Sequence, residues 1–276
     1  MKPLTSQAVF FLSQAGIKGK ANMTFSTMND GVKIAWRVDG PEQGRQLVLL
    51  NSIGTDMRLW DHVMESLSGL RILRIDTRGH GESDAPDGDY SLTRLAEDAL
   101  AVMDDAGFQQ AIIAGVSLGG MTAMELALLA PKRVSALVLI CTSAQMDSAN
   151  WAMRVEKVRQ DGMQAIADLA ISRFFSPDFI AAGSVYVEAT RVALLSMSPL
   201  GYAGCGAAIR DMQLIDRLKD IQCPAVIITG NEDASTPYEG HGDRLEQALK
   251  KAKLVRLPGG HLMPLEQPAK LSELLT

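Results

Sequence analysis

The chain has 276 residues, 47% of them hydrophobic and 21% charged, a length that suits one large domain with room for an inserted subdomain. Its formal charge of −5, with no basic block anywhere, argues against a nucleic-acid surface, which needs lysine and arginine on one face to displace phosphate counterions. Three widely spaced cysteines, Cys141, Cys205 and Cys223, form no metal-binding pair and read as free thiols in a reducing compartment.

Residues 1–22 open with Met1-Lys2 and an apolar run at 8–12. That run of about five residues falls short of the roughly 7–15 that a signal peptide needs, and Gln14, Gly16 and Lys18 keep it from extending. No stretch has the length of a membrane span. The expectation is a cytoplasmic chain with no membrane partner, whose residues 1–22 form a leader segment.

From residue 23 onward, apolar strands alternate with helices. Residues 32–38, 46–50 and 71–75 read as strands. Ser91 then caps a helix to about residue 106, with Leu95, Leu100 and Met103 at helical spacing. Residues 110–114 are a strand, 117–130 a helix stopped by Pro131, and 134–140 a strand. Two more strands are predicted at 225–229 and 253–257. Continuous apolar strands of this kind imply a mostly parallel central sheet flanked by helices. One segment breaks the rhythm. Residues 144–216 hold helical patterns rich in Ala and Met, including Met146, Met153, Met163, Met197 and Met212, and no convincing strand. This predicts an inserted helical cap at 144–216 on a core made of 23–143 plus 217–276.

The chemistry concentrates at the strand ends. Gly115-Val116-Ser117-Leu118-Gly119 comes directly after a predicted strand and opens a helix, the context of a nucleophile elbow in the α/β-hydrolase fold. A serine hydroxyl needs a base. Of the four histidines, His62 and His80 precede Ser117 and fall outside the order serine, acid, histidine, while His241 lies too close behind the acid. His261, in a glycine-rich loop after the last strand, is the expected base. Asp233, after the penultimate strand, is the expected acid, with Glu232 its competitor; the acid holds the imidazole tautomer and stabilises imidazolium. An oxyanion hole needs two fixed N–H donors, expected from the backbones of Leu118 and of Ile53 in the loop after residue 50. No metal or cofactor is expected. The dense run at 74–83 holds Asp76 and Arg78, read as structural.

Several of these stretches together resemble the 3-oxoadipate enol-lactonases, hydrolases of β-ketoadipate enol-lactone. They are Asn51 to Asp56 with Trp60, Asp76 to Ser83, Gly115 to Met121, Trp151 with Arg154, Gly201-Tyr202 leading to Cys205 and Ala208 to Asp211, Gly230 to Asp233 with Thr236-Pro237, and His261 with Glu266-Gln267-Pro268. The resemblance covers roughly 23–274 and departs at the leader and at Gly206, where a second Cys is expected. It implies a cofactor-free serine hydrolase that opens a small lactone in aromatic-compound catabolism. The lactone's remote carboxylate then needs an arginine. Arg154 is favoured, because Trp151 lies three residues before it on the same helical face and can cover the ring; an ion pair with Glu156 or Asp161 is the competing role for it. Arg210 is the second choice. A related carboxylesterase or acyl-homoserine lactonase is the nearest alternative, and a non-enzymatic receptor on the same fold the alternative from another class.

Overall fold

A computed structural model describes residues 23–276; the predicted leader at 1–22 lies outside them. Eight strands form one sheet: β1 (Thr24–Thr27), β2 (Lys33–Asp39), β3 (Arg45–Leu50), β4 (Leu70–Ile75), β5 (Ala111–Val116), β6 (Val134–Ile140), β7 (Ala225–Gly230) and β8 (Ala252–Leu257). Their spatial order is β1-β2-β4-β3-β5-β6-β7-β8. The first two pairings are antiparallel and the run from β4 to β8 is parallel. This is the α/β architecture that the alternating pattern implies. Strand β1 is the one that the pattern does not reveal: it has only 4 residues, and its Phe25 faces solvent.

The helices run in chain order as α1 (Asp61–Met64), α2 (Leu92–Asp105), α3 (Leu118–Leu129), α4 (Ser148–Asp161), α5 (Ala167–Phe174), α6 (Pro177–Ala181), α7 (Val185–Ser196), α8 (Pro199–Arg210), α9 (Asp243–Ala248), α10 (Met263–Glu266) and α11 (Pro268–Leu275). Ser91 caps α2 by accepting the Arg94 N–H, and the helix buries Leu95, Ala99, Val102 and Met103. Helix α3 is mostly apolar and buried along most of its length, its one acidic residue Glu125 pairing with Arg217, and Ala130 caps it before Pro131. The centre of β3 is buried on both faces, because helices cover both sides of a parallel sheet. Helices α4 to α8 occupy the whole interval between β6 and β7, and no strand falls there. No single helix among the described residues is long and apolar enough to cross a membrane.

The charged run between β4 and α2 is a scaffold. Arg78 makes a bidentate pair with the buried Asp98, at 2.7 and 2.8 Å, and a third bond to Asp30 at 2.8 Å. Arg74, also buried, donates to Asp39 and Asp61. Asp76 accepts the Met57 and Glu82 amides at 2.7 and 3.0 Å, tying the loop after β3 to the loop after β4. Burial pushes the Asp76 carboxyl up to about 6, against the pull of those amides. Parallel strands point the same way, so the ends of β3, β5, β7 and β8 open on one edge of the sheet, and the predicted site residues come directly after them.

The Arg78–Asp98 pair gives the first prediction. Asp98→Ala leaves a guanidinium buried with only the partly exposed Asp30 as partner. It should cost about 3–5 kcal/mol in urea unfolding, because an unpaired buried charge is left behind. Asp30→Ala, at the rim, should cost about 1 kcal/mol or less. Equal losses from the two would mean that the inner pair carries no special share of stability.

Candidate active site

Ser117 stands between β5 and α3 at φ 54° and ψ −115°, a conformation that side-chain-bearing residues seldom adopt. Such a residue costs on the order of 1–3 kcal/mol, so its surroundings must hold it. The Ser117 N–H donates to the Ile140 carbonyl at 2.9 Å, and its carbonyl accepts the Thr142 hydroxyl at 2.6 Å and the Met121 N–H at 3.0 Å. The start of α3 is pressed against the end of β3: a Cβ on Gly119 would overlap the Leu50 carbonyl. Glycine is required there by contact, and the hydroxyl of Ser117 is left at the edge of the sheet.

Asp233 follows β7 and His261 follows β8, and the two meet. The imidazole Nδ1 lies 3.0 Å from both carboxylate oxygens, which places the Nδ1 proton toward Asp233 and leaves Nε2 bare. The carboxylate also accepts the Ser235 and Thr236 amides at 2.7 and 3.0 Å and the Thr236 hydroxyl at 2.8 Å. Burial alone would raise its pKa; the facing imidazole and these donors outweigh burial and hold it well below the usual carboxylate range. Glu232, the competitor, is exposed. His241 faces Ser143 instead, with Nδ1 2.8 Å from the hydroxyl.

The amides predicted for the oxyanion hole also come from the sheet edge. The Ser52 carbonyl accepts both the Thr55 N–H, at 3.2 Å, and the Thr55 hydroxyl, at 2.9 Å. The peptide is planar and trans, so the Ile53 N–H points the opposite way. Leu118 is the first residue of α3, where an amide has no partner within the helix. Among the described residues neither amide has a protein acceptor. Asn51 keeps the loop in place: its side chain donates to the Ile75 carbonyl at 2.8 Å and accepts the Trp60 indole N–H at 2.9 Å.

Trp151 and Arg154 face the same side of α4. The guanidinium carbon lies 5.0 Å from the Trp151 ring centre and 5.5 Å from that of Tyr202 on α8. Arg154 makes no ion pair among the described residues; Asp161 pairs with Lys157, and Glu156 bonds to Gln160. Its Nε is buried without a partner, as is the Tyr202 hydroxyl. Arg210 sits differently, on the surface between Asp89 and Asp211.

Glu266 and Cys141 are neighbours of the histidine that escape a reading of the sequence. Glu266 accepts the Gly260 N–H at 3.1 Å, the Ser176 N–H at 2.9 Å and the Ser176 hydroxyl at 2.6 Å, and so joins the His261 loop to the segment after α5. The Phe174 carbonyl accepts the amides of both His261 and Leu262, at 3.1 and 2.9 Å, and its ring lies parallel to the imidazole at 6.1 Å. The only hint of this in the sequence is the Glu266-Gln267-Pro268 string. Cys141 is the second neighbour; its Sγ lies within 4.8 Å of ligand atoms of Asp233 and His261. Burial, with Asp233 adding to it, raises this thiol well above its ordinary pKa, which makes it a poor metal ligand.

Comparison with known proteins bears on the fold and the family. The family model for the alpha/beta hydrolase fold matches residues 46–268. A 3-oxoadipate enol-lactonase of Acinetobacter baylyi is 32% identical over 80% of this chain and 84% of its own length. The crystal structure of the enol-lactonase from Burkholderia xenovorans superposes with a TM-score of 0.88 at 32% identity, covering 91% of this chain and 98% of that one. A hydrolase from Pseudomonas aeruginosa gives a TM-score of 0.89 at 36% identity, covering 92% and 97%.

Glu266 supplies the second prediction. Glu266→Ala strands three donors and should lower the unfolding free energy by about 1–3 kcal/mol. Glu266→Gln keeps an acceptor oxygen and should recover most of that loss. Urea melts of the two variants decide it; equal melts would mean that these bonds add nothing to stability.

Proposed function

The chain belongs to the α/β-hydrolase family and, within it, to the family of the 3-oxoadipate enol-lactonases; on that premise we propose that it opens a small carboxylated enol-lactone through an acyl-enzyme on Ser117, with 3-oxoadipate enol-lactone as the favoured substrate. Ser117, Asp233 and His261 act as the catalytic triad. The single observation that carries this reading is the buried Asp233–His261 pair, with Nδ1 3.0 Å from the carboxylate, on the same sheet edge as a serine held at φ 54°.

The reaction runs in two halves. His261 Nε2 takes the Ser117 hydroxyl proton as Oγ attacks the lactone carbonyl. The Ile53 and Leu118 amides stabilise the oxyanion. The ring C–O bond then breaks, and the enol oxygen leaves with the proton from His261 and tautomerises to a ketone. Water, deprotonated by His261, attacks the acyl carbon; the Ser117 ester bond breaks, Oγ takes the proton back from His261, and the acid is freed. These steps need no cofactor. Residues 144–216 act as a cap over the core of 23–143 plus 217–276. Arg154 takes the remote carboxylate of the substrate and Trp151 covers the ring; Arg210, already held by two carboxylates, is left to the surface. The setting is aromatic-compound catabolism in the cytoplasm, which three free thiols suit.

Two measurements test the proposal. Ser117→Ala and His261→Ala should each lower kcat by on the order of 10³ or more, the double variant little further, and Ser117→Ala should abolish labelling by a fluorophosphonate. Near-normal turnover in Ser117→Ala sinks the mechanism. Arg154→Ala should cost about 2–4 kcal/mol in kcat/KM on the carboxylated lactone, because a charge pair is lost, and far less on p-nitrophenyl acetate. Equal losses on both substrates would show that Arg154 supports the cap rather than reading the carboxylate.

A further inference from the structure

The loop after β4 carries a histidine for which the proposed reaction has no use. His80 is 1% exposed, and both of its ring nitrogens are engaged. Nε2 accepts the Gly54 N–H at 3.0 Å. Nδ1 faces the Arg78 carbonyl at 3.2 Å, and a carbonyl can only accept, so the proton sits on Nδ1 and the lone pair on Nε2. The Cys205 thiol, from α8, points at the same carbonyl at 3.4 Å.

Gly54 is the residue after Ile53, whose amide is one of the two proposed oxyanion donors. The peptide before Ile53 is held through the Ser52 carbonyl by Thr55. The peptide after it is held through the Gly54 N–H by His80. With the planes on both sides of the Ile53 α-carbon tied down, the direction of the Ile53 N–H is set. The far side of the loop is closed as well: at φ +81°, a Cβ on Gly54 would lie 2.9 Å from Leu194 of α7. The loop tip therefore has His80 on one side and the cap on the other.

We propose that His80 is a positioning residue for the oxyanion hole, its bare Nε2 holding the Gly54 amide so that the Ile53 N–H is aimed where charge develops on the substrate carbonyl. This deepens the proposed function and rests on Ile53 as an oxyanion donor. Burial supports it: the imidazole is pulled down to about 4, against the opposing charge of Asp56, so the lone pair is free at neutral pH. An aimed donor acts mainly in the transition state, because it matches the oxyanion and not the ground-state carbonyl. Its loss therefore belongs in kcat and not in KM.

The test compares two amides that differ only in reach. His80→Gln can place an oxygen where Nε2 stood and accept the Gly54 N–H. His80→Asn can still donate to the Arg78 carbonyl but falls short of Gly54. His80→Asn should lower kcat at least about tenfold with KM changed less than about threefold, within the range known for oxyanion donors. It should weaken the tetrahedral adduct with an alkyl boronic acid by a similar factor, and His80→Gln should recover most of both. Equal kcat for the two variants, or a loss confined to KM, overturns the proposal. A reading that needs no variant is the histidine 15N spectrum of the wild-type protein at neutral pH. It should show His80 neutral with Nδ1 protonated; a protonated Nε2 overturns the proposal even if His80→Asn does not fold. Wild-type labelling by a fluorophosphonate separates the two levels. No labelling refutes the serine mechanism itself, whereas labelling with an unchanged kcat in His80→Asn refutes only the role of His80.

Discussion

The site depends on how closely α3 approaches β3. At Gly119 the helix backbone touches the Leu50 carbonyl, and no side chain fits between them. Ser117, two residues before that contact, takes its unusual backbone angles and is anchored by bonds to Ile140 and Thr142. The contact also sets the first amide of α3 beside the loop that leaves β3. Leu118 and Ile53 lie far apart in the chain, yet their free N–H groups are carried by two elements in backbone contact. The proposed nucleophile and the proposed oxyanion donors thus share one steric constraint, and strain of a few kcal/mol at Ser117 is the cost of meeting it.

Helices α5 to α7 and the segments between them bond to the loops that carry the candidate site residues. The Phe174 carbonyl holds the backbone of the His261 loop, Ser176 shares Glu266 with that loop, and the Arg173 carbonyl accepts the Ser235 hydroxyl beside Asp233. Leu194 closes over Gly54 on the opposite side. A substitution in 173–176 that leaves the triad residues untouched would therefore still reach both Asp233 and His261.

The readable parts of the sequence are those whose physics is local. Continuous apolar strands, a Ser-capped helix and a serine between two glycines after a strand each announce themselves within about ten residues, and the sheet and the elbow appear where those patterns lie. The meeting of Asp233 with His261 is legible for another reason: in a parallel sheet, strand ends share an edge, so chain order implies proximity. Strand β1 is not legible, because 4 residues at a sheet edge carry too little pattern. Glu266 and His80 stay hidden because each works through a backbone amide of a distant loop, and no amide is visible as a letter. Chain order sets His80 aside as a base, since it precedes Ser117. Its actual bond, to Gly54, depends on how two loops pack. Distinguishing Arg154 from Arg210 needs the position of Asp89, which is remote from both in the chain and holds Arg210 at the surface.

Gly206 shows how a single departure from the enol-lactonase pattern can shape the surroundings of Arg154. A Cβ there would lie 2.8 Å from Val155 and 3.6 Å from the Trp151 ring, so glycine lets α8 settle against α4. That approach brings Tyr202 and Trp151 around one guanidinium. Aromatic faces return about 0.5–2 kcal/mol to a cation. Removing an ionised group from water costs more than that unless it is paired. Arg154 is half-buried with an unpartnered Nε, and the Tyr202 hydroxyl beside it is fully buried and also unpartnered. A guanidinium without an ion-pair partner among the described residues, next to a buried phenol, leaves a positive charge that an anion of suitable size would balance. A carboxylate on the substrate proposed above would meet both, and that would favour a charged lactone over a neutral ester before any chemistry begins.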